Sequence, residues 1–244
     1  MDIGAIVLAA GKGKRMKSGT INKVAFHVGN KPMILHTMDL LKELEITAIV
    51  VVVGFAKKSV MDLLGNEVIF AEQKKRLGTA HAVFVGLKKI PQDLNHVLIL
   101  QGDDSAFFTK DMIQKLIDMH AKSQAFLTLL TVELENPFGL GRVVRNAEGK
   151  IMKIVEEKDA SKKEKRINEI CTGCYVFNVE FLKKNLPRIK KSKATGEYYL
   201  TELVELASND NIKMTSVLNK GLKWRGVNTL EELKQAEKLY AIIK

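Results

Sequence analysis

Apolar runs that alternate with helix-like segments constrain the fold of this chain most strongly. Residues 3–10 (IGAIVLAA) and 48–54 (AIVVVVG), and the start of 96–104 (HVLILQGDD), are apolar on both faces, which is typical of central strands of a parallel sheet. A helix that begins at Pro32 follows the first run, and a helix over 109–122 follows the third. The alternation predicts a doubly wound α/β sheet in roughly the first 125 residues.

Shorter patterns complete this prediction. Between the long elements we expect a short helix around 59–64, a strand around 68–71 and a helix over 78–90. After residue 125 the rhythm changes to short strands separated by the turns NPFGLG and NAEGK, predicted over 126–134, 141–146, 151–158 and 169–179. These strands are expected to extend the sheet in antiparallel fashion, which makes it mixed. Residues 229–244 predict a final helix, with Thr229 and Glu232 spaced as a capping box.

The organisation of the chain favours one domain over residues 1–244. We find no low-complexity linker and no internal repeat in the sequence. The change of rhythm divides this domain into a lobe of about 1–125, a second lobe of about 126–228 and the helix 229–244.

The charge and hydropathy of the sequence limit the kinds of binding partner that we expect. The net charge of +11 raises the question of nucleic acid, but the lysines are scattered in pairs without interleaved aromatic residues, which is typical of a solvated surface. We therefore expect no nucleic-acid partner, whereas an anionic small molecule is compatible with the charge. No apolar run approaches the ~20 residues of a membrane span and the first residues lack the basic start of a secretory signal, so a cytoplasmic protein without a membrane partner is expected. No pattern predicts an oligomeric state.

The loop GKGKRM at 11–16 suggests anion binding. A P-loop needs the pattern G-x-x-x-x-G-K-[ST], which no register here provides. A dinucleotide fingerprint needs a third glycine where Met16 stands. Two interpretations stay open: backbone N–H groups and basic side chains that surround a polyphosphate, or a tight surface turn with incidental lysines.

Cys171 and Cys174 form a C-x-x-C pattern, which suggests redox or zinc chemistry. They lie in a predicted strand, however, and strand positions three apart point to opposite faces. We therefore predict two separate thiols and no shared site.

A series of motifs in one order carries a resemblance to a known family. The motifs are AGKGKRM with Lys23, EQKKRLGTAHAV (72–83), QGD (101–103), GLGR (139–142), IVEEKDA (154–160), GEYYLTEL (196–203) and GVN (226–228). From about residue 3 to 235 the chain resembles the uridylyltransferase (pyrophosphorylase) domain of the bacterial bifunctional N-acetylglucosamine-1-phosphate uridylyltransferase/glucosamine-1-phosphate acetyltransferase family, in the sugar-phosphate nucleotidyltransferase superfamily. The resemblance implies a Rossmann-like nucleotidyltransferase fold with a nucleotide-binding and an antiparallel sugar-binding lobe. It implies Mg²⁺-dependent transfer of UMP from UTP to a sugar 1-phosphate with release of pyrophosphate, and N-acetylglucosamine 1-phosphate is the expected sugar substrate.

The resemblance also implies site residues. The catalytic positions correspond to Arg15, Lys23 and Asp103, and the magnesium ligands to Asp103 and Asn228. The nucleotide-binding positions correspond to Leu8, Ala9, Ala10, Gly11, Gly13, Arg15, Lys23, Gln73, Gly78, Thr79, Gln101, Gly102 and Asp103. The sugar-binding positions correspond to Gly141, Glu156, Cys171, Thr172 and Asn228.

The residue types suit this chemistry. The sugar phosphate already carries the nucleophile, so in-line attack at the α-phosphorus needs positioning and charge neutralisation and no serine, cysteine or histidine. Mg²⁺ often keeps only one or two protein ligands, so one carboxylate and one amide suffice. His27 and His81 are interpreted as packing or surface side chains.

The sequence departs from the family pattern at three places in the expected site. Asp104 adds a carboxylate in GDDSAFF, Cys171 stands where the family has asparagine, and Arg76 replaces a common glutamine near the base. A thiol is a poor replacement for the hydrogen bonds of an amide. Two alternatives therefore stay open: transfer to another sugar 1-phosphate or phospho-alcohol, and a non-catalytic sensor of nucleotide sugars.

The acetyltransferase half of such bifunctional proteins is a left-handed β-helix built from hexapeptide repeats. The chain contains no such repeats, so neither a β-helix domain nor acetyl transfer is expected.

Overall fold

A twisted mixed sheet forms the centre of the structure, a computed structural model that describes residues 1–16 and 19–243. Within these residues the strands are β1 (Ile3–Ala9), β2 (His27–Val28), β3 (Lys31–Pro32), β4 (Ile49–Val53), β5 (Ile69–Glu72), β6 (His96–Gln101), β7 (Leu127–Glu133), β8 (Arg142–Arg145), β9 (Ile151–Val155), β10 (Glu169–Asn178) and β11 (Met214–Asn219). The α-helices of the same residues are α1 (Met33–Glu43), α2 (Lys57–Leu64), α3 (Thr79–Leu87), α4 (Lys110–Ser123), α5 (Val179–Asn185), α6 (Glu202–Asn209) and α7 (Leu230–Ile243).

The sheet order is β11-β7-β10-β6-β1-β4-β5. Strand β1 is central and pairs in parallel with both β4 and β6, so that Ala5 lies between Ile49 and Leu98. Strand β10 alone on this path runs against its neighbours, since it pairs antiparallel with β6 and β7. The hairpin of β8 and β9 branches from β10. The carboxyl ends of β1, β4 and β6 therefore meet at one edge.

Both faces of the sheet are buried, which explains the uninterrupted apolar runs. Successive residues of β1 alternate between two hydrophobic clusters: Val7 packs into one and Ile6 and Leu8 pack into the other. Strands β4 and β6 divide their side chains in the same way. A doubly wound sheet requires this two-sided burial.

The predicted α/β fold is confirmed, with strands and helices within a few residues of the expected bounds. Four parts of this fold were not predicted from the sequence: the β2–β3 hairpin, α5, α6 and β11. Strand β11 pairs in parallel with β7, beginning at Met214 opposite Leu127, so not every added strand is antiparallel. Lys244, the last residue of the predicted final helix, lies outside the described residues.

The start of α7 differs in detail from a capping box. The hydroxyl of Thr229 accepts the N–H of Glu232 (3.1 Å), as predicted. The carboxylate of Glu232, however, accepts the N–H of Asn228 (2.7 Å), one residue earlier than the usual reciprocal bond. The start of the helix thereby fixes the backbone of Asn228.

The two cysteines lie on opposite faces, as predicted. Cys171 belongs to one hydrophobic cluster and Cys174 to the other, and both are buried free thiols. Gly173 between them has a positive φ of 81°, where the register of β10 on β7 shifts.

None of the helices described over residues 1–16 and 19–243 is long and apolar enough to cross a membrane.

Candidate active site

Two adjoining cavities open where β1, β4 and β6 end. We call the first the glycine-loop cavity, since its lining includes the loop after β1; the predicted site residues found only there are Leu8, Ala9, Ala10, Gly11, Gly13, Gln73 and Gly78. We call the second the carboxylate cavity, and the predicted site residues found only there are Gly141, Glu156, Cys171, Thr172 and Asn228. Four residues line both cavities: Lys23, Thr79, Gln101 and Asp103. The predicted nucleotide and sugar positions thus fall in separate but connected spaces.

Two predicted residues line neither cavity. Arg15 is exposed in the 3-10 helix Lys14–Met16. Gly102 is a packing residue: its N–H donates to the carbonyl of Leu8 (3.0 Å), and a Cβ there would lie 2.9 Å from Ile34 Cδ1. The role of Arg15 stays a prediction, whereas the structure gives Gly102 the task of joining the ends of β6 and β1.

Lys23, Asp103 and Asn228 meet at the junction of the cavities. The ammonium of Lys23 forms an ion pair with Asp103 and donates to Asn228 Oδ1 (3.3 Å). Lys23 lies in a 3-10 helix of the loop after β1, Asp103 lies two residues beyond β6, and Asn228 lies just before α7. Three distant segments of the chain therefore place a cation between a carboxylate and an amide oxygen.

This geometry also tests whether a metal ion fits. Because one ammonium contacts both oxygens, Asp103 and Asn228 lie close enough to share a cation, and both are oxygen donors of the kind that Mg²⁺ prefers. The described residues hold no group of three or more His, Cys, Asp or Glu side chains suited to a metal. The donor set therefore fits a magnesium ion that takes its other ligands from substrate and water.

Asn22 holds the glycine loop in place, a role that was not predicted from the sequence. Its buried amide donates to the carbonyls of Ala9 (2.9 Å) and Phe55 (2.7 Å), and its Oδ1 accepts the N–H of Val24 (3.1 Å). Asn22 thus ties the end of β1 to the loop after β4. A lone asparagine in a polar loop gives no sequence signal for this task.

Gln73 follows β5 and is nine-tenths or more buried. Its N–H donates to the carbonyl of Val53 (2.8 Å), which extends the pairing of β5 with β4. Its carboxamide nitrogen contacts the carbonyl of Gly78 (3.0 Å) and Nδ1 of His81 (2.9 Å). The backbone of Gly78 is equally constrained: its φ is 108°, and a Cβ would collide with the backbone of Tyr198.

Two consecutive glutamates have different tasks in the carboxylate cavity. Glu156 faces the cavity and accepts the hydroxyl of Thr201 (3.0 Å), and burial raises its pKa. Glu157 binds the buried guanidinium of Arg142 (2.6 Å) and the N–H of Gly139 (3.1 Å). Glu157 and Arg142 therefore hold the 139–141 loop against the cavity, while Glu156 stays available to a ligand.

Asp104 is buried and lines the carboxylate cavity. Its Oδ1 has no hydrogen-bond partner among the described residues. Burial, together with the neighbouring Asp103 carboxylate, raises the pKa of Asp104 well above its usual range. A buried carboxyl oxygen without a partner is costly unless a ligand contacts it.

The predicted sugar residues Cys171 and Thr172 lie at the wall formed by β10. Burial raises the pKa of the Cys171 thiol to about 12, so this thiol stays neutral at physiological pH. The Thr172 hydroxyl donates to the carbonyl of Leu130 (3.0 Å). The hydroxyl proton of Thr172 is therefore bound within the sheet and is not available to a ligand.

Several lining residues were not singled out as site residues from the sequence: Lys12, Lys158, Glu197, Tyr175, Thr201 and Trp224. Four of them fall within motifs already quoted for the resemblance, and that membership is the signal that could have found Lys12, Lys158, Glu197 and Thr201. Tyr175 and Trp224 are set apart only by the tertiary structure.

Comparisons with known proteins agree with the geometry. The profile of the family described as Nucleotidyl transferase matches residues 4–241. The chain is 40% identical over 235 residues to the bifunctional protein GlmU of Caldanaerobacter subterraneus subsp. tengcongensis, covering 96% of this chain and 51% of the relative. It is 43% identical over 201 residues to the GlmU of Carboxydothermus hydrogenoformans, covering 82% and 44%.

The fold has a solved counterpart. A protein assigned as a glucose-1-phosphate thymidylyltransferase from Bacillus anthracis, crystallised in complex with sucrose, superposes with a TM-score of 0.81 over 99% of this chain and 96% of its own. At 23% identity this likeness concerns the fold alone.

The chain spans about half the length of the curated relatives that it matches. The family profile, in contrast, covers nearly all of the chain. On that match, and with the resemblance noted in the sequence confirmed by the GlmU relatives, the chain belongs to the nucleotidyl transferase family.

Proposed function

We propose that the protein is a Mg²⁺-dependent uridylyltransferase that forms a UDP-sugar and pyrophosphate from UTP and a sugar 1-phosphate. N-acetylglucosamine 1-phosphate is the first candidate acceptor, because the relatives at about 40% identity are GlmU proteins. The observation that carries the proposal is the pair of cavities that meet at Lys23 and Asp103. Two substrates held in adjoining spaces would react where those spaces join.

The glycine-loop cavity suits a nucleoside triphosphate. Backbone groups of Gly11 and Gly13, with Lys12 and Lys23, give the loop N–H donors and cations, which polyphosphates require. The loop lies at the carboxyl ends of parallel strands, where ligands of open α/β sheets bind. The predicted role of Arg15 at the triphosphate belongs to this proposal.

The same cavity offers uracil a complementary edge. The oxygen of the Gln73 carboxamide accepts no hydrogen bond from the described residues, and the N–H of Gly78 donates to none of them. An acceptor beside a donor matches the ring N–H and carbonyl of uracil. This pairing supports UTP as the nucleotide, with the ribose near Thr79.

Chemistry at the junction needs charge neutralisation more than a protein nucleophile. A magnesium ion held by Asp103 and Asn228 would supply positive charge to the phosphates. Lys23 would stabilise the charge that develops on the transferring phosphoryl group, an effect worth on the order of 10²-fold or more in rate. Cys171 is unsuited to nucleophilic attack, since burial raises its pKa to about 12.

The carboxylate cavity suits a polyhydroxylated ligand. Glu156 presents acceptor oxygens, and the loop at Gly141 passes so close to Ile154 that a Cβ would lie 2.9 Å from Cγ2. Sugar hydroxyls donate readily to carboxylates of this kind. Asp104 and Cys171 favour the second candidate, transfer to another sugar 1-phosphate or phospho-alcohol, because they change the donors and acceptors of this wall.

A substrate panel tests the proposal. The purified protein would be incubated with UTP, CTP or dTTP, Mg²⁺ and a set of sugar 1-phosphates, and pyrophosphate release would be followed. We expect release with UTP and one sugar 1-phosphate, and loss of release when the metal is chelated. Absence of pyrophosphate with every pair would reject catalysis; calorimetry that then showed UDP-sugar binding would favour the nucleotide-sugar sensor.

The proposed partners are therefore UTP and a sugar 1-phosphate, without a nucleic acid or a membrane. The cytoplasmic location expected from the sequence remains part of the proposal. A nucleic-acid role would require affinity that falls steeply with salt, so a flat salt response in a binding assay excludes it.

A further inference from the structure

The contact between Gln73 and His81 defines which end of the Gln73 carboxamide faces the nucleotide. The carbonyl of Gly78 accepts hydrogen bonds only, so the group 3.0 Å from it must be the NH₂ of Gln73 and not the oxygen. The same NH₂ lies 2.9 Å from Nδ1 of His81. Since an NH₂ donates, Nδ1 accepts, and the neutral ring carries its proton on Nε2.

Both acceptors are held in place. The Gly78 carbonyl also accepts the N–H of Ala82 (3.1 Å) in the first turn of α3. The Tyr198 backbone accepts the N–H of Ala80 (3.0 Å) and donates to Leu77 (2.8 Å), so the loop around Tyr198 fixes the start of this helix. His81 lies on α3 and moves with it. The carboxamide NH₂ of Gln73 therefore contacts two acceptors that are held in place, the Gly78 carbonyl and Nδ1 of His81.

We infer that His81 is a positioning residue that fixes the Gln73 carboxamide with its oxygen toward the nucleotide, so that the site takes a base with a ring N–H, uracil or thymine, and rejects cytosine. This inference rests on the proposed function, because it assigns the base-recognising end of the same cavity. The Gln73 oxygen faces no donor among the described residues. Cytosine presents a ring nitrogen that accepts and an amino group that donates, so it would place an acceptor against that oxygen.

Loss of the His81 acceptor would loosen the carboxamide. Only the Gly78 carbonyl would then hold the NH₂ inward, so Gln73 turns its NH₂ toward the cavity, where it matches cytosine, at a smaller cost. A site that hydrogen-bonds its substrate discriminates strongly only while the protein groups stay oriented. Variants at His81 should therefore change the choice between UTP and CTP and leave the chemical step unchanged.

Acid should have the same effect as removing the acceptor. A protonated His81 carries N–H on Nδ1, which then faces the NH₂ of Gln73; turning the amide instead would set its oxygen against the Gly78 carbonyl. Burial and the Lys88 ammonium lower the pKa of His81, so the contact holds at neutral pH and weakens below the usual histidine range. Charged groups beside the pair or on elements packed against α3 are Arg76, Lys158, Glu197, Glu72 bound to Lys57, and Arg188 bound to Asp210.

The experiment measures kcat and KM for UTP and CTP with one sugar 1-phosphate, and in parallel the binding of both nucleotides by calorimetry. His81→Phe removes the acceptor and keeps a ring, and we expect the UTP-to-CTP ratio of kcat/KM to fall about tenfold, through the KM for UTP, with kcat nearly unchanged. His81→Asn restores an acceptor oxygen and should keep most of the preference. His27→Phe is the matched control, an exposed histidine that lines neither cavity, and should leave the ratio as in the wild type.

Two further comparisons separate a positioning role from a structural one. In the double variant Gln73→Ala/His81→Phe the ratio should fall no further than in Gln73→Ala alone, because His81 acts through Gln73. In the wild type the ratio should fall as pH is lowered toward 5.5, and in His81→Asn it should fall less. The triphosphate that both nucleotides share cancels from the ratio, and protonation of the cytosine ring nitrogen, which supplies a donor to Gln73, lowers the ratio equally in both proteins, so the difference between their pH profiles reports His81.

The outcomes distinguish the inference from the proposed function. Turnover with UTP together with an unchanged UTP-to-CTP ratio in His81→Phe, or a pH profile of that ratio that is the same in the wild type and in His81→Asn, overturns the role of His81 and leaves the uridylyltransferase proposal standing. Absence of turnover with any acceptor rejects the proposed activity, while calorimetry still tests the role of His81 in base choice. If His81→Phe fails to fold, the Asn variant and the wild-type pH profile decide.

Discussion

The two cavities recognise ligands by different means. The glycine-loop cavity is built from backbone and cations, on segments that follow directly from β1 and β4 and are clamped by Asn22. The carboxylate cavity is built from the acidic side chains of Asp103, Asp104 and Glu156 together with loops from the second half of the chain, and one oxygen of Asp104 has no partner among the described residues. The backbone and cations of the first suit the triphosphate that all nucleotides share, whereas the second can vary with the acceptor.

This difference indicates which cavity is expected to change its ligand specificity when side chains are replaced. A backbone cradle tolerates substitution, because its N–H groups do not depend on side chains. A wall of side chains changes its donors and acceptors with each replacement, as an amide in place of the Cys171 thiol would do. Variants of the junction, of the glycine loop and of the acidic wall should therefore give effects of decreasing size.

Asp103→Asn should have the largest effect, since Asp103 lines both cavities. The amide keeps the shape and removes the charge that holds Lys23 and the proposed metal ion, so we expect kcat to fall about 10³-fold. Pyrophosphate release measures the loss, and the melting temperature should change little. Mn²⁺ relaxation titrated in the presence of UTP should show weaker metal binding.

Asp39→Asn is the matched control, because Asp39 forms an exposed ion pair with Lys31 and lines neither cavity. If Asp103→Asn turned over at the wild-type rate, Asp103 would have no catalytic role, and the junction of the two cavities would not be the place of reaction.

Arg15→Ala tests the one predicted catalytic residue that the structure places outside both cavities. If the arginine reaches the triphosphate when nucleotide binds, kcat should fall about 10²-fold. Arg166→Ala, another exposed arginine in a short 3-10 helix, provides the control. Equal activity of the two variants would show that Lys23 and the backbone of the loop suffice for the phosphates.

The resemblance implied the nucleotide-binding positions, and the structure brings most of them to one cavity for a physical reason. Gly11, Gln101 and Asp103 lie next to strand ends and glycine turns, which the sequence pattern also predicts, while their roles stay predictions. Asn22 and His81 were missed because their tasks depend on atoms 33 and 8 residues away, the carbonyl of Phe55 and the amide of Gln73. His81 was interpreted as a packing or surface side chain, and only the contact with Gln73 indicates more.

The sugar half was predicted through the resemblance and not from local pattern. Glu156 next to Glu157 gives no sign of which carboxylate faces the ligand; the answer depends on Arg142, which β8 brings to Glu157 across the β8–β9 hairpin. The stretch from α5 to β11 gave no prediction of secondary structure, since its elements are short and pack by tertiary contact. Thr201 lies in this stretch within the motif GEYYLTEL, and it was not singled out as a site residue.

Cys171→Asn should give a smaller effect, confined to the acceptor. Restoring the amide of the family should preserve or raise kcat/KM with N-acetylglucosamine 1-phosphate, by up to about tenfold, because one more donor and acceptor become available to the acetamido group. Cys171→Ser is the control of similar size without the amide. A large loss in Cys171→Asn, with Ser unaffected, would show that the wall is adapted to a different acceptor.

Stability at low pH should show the smallest effect, and it does not involve either cavity. His120 on α4 packs behind β7, with Nδ1 2.8 Å from Thr128 Oγ1 and its ring 5.2 Å from that of His96. Burial, with His96 as the second cause, lowers the pKa of His120 from 6.5 to about 4. The folded protein therefore binds this proton less readily than the unfolded chain does.

The direction of the change in stability with pH follows from this difference in pKa. Above pH 6.5 both states hold a neutral ring and His120 has no effect on the pH dependence; as pH falls toward 4 the unfolded state gains a proton first, and stability is lost at about 1.4 kcal/mol for each unit of pKa difference. Urea denaturation at pH 7 and 4.5 measures this, and His120→Asn, which keeps a group near Thr128 but does not titrate, should lose less stability than the wild type over that interval. His27→Asn should behave as the wild type, and an equal loss in all three proteins would assign the acid sensitivity to other groups. Such a loss lowers the folded fraction equally for UTP and CTP, so it leaves the nucleotide ratio intact, and a change of that ratio with pH belongs to the glycine-loop cavity and its nucleotide.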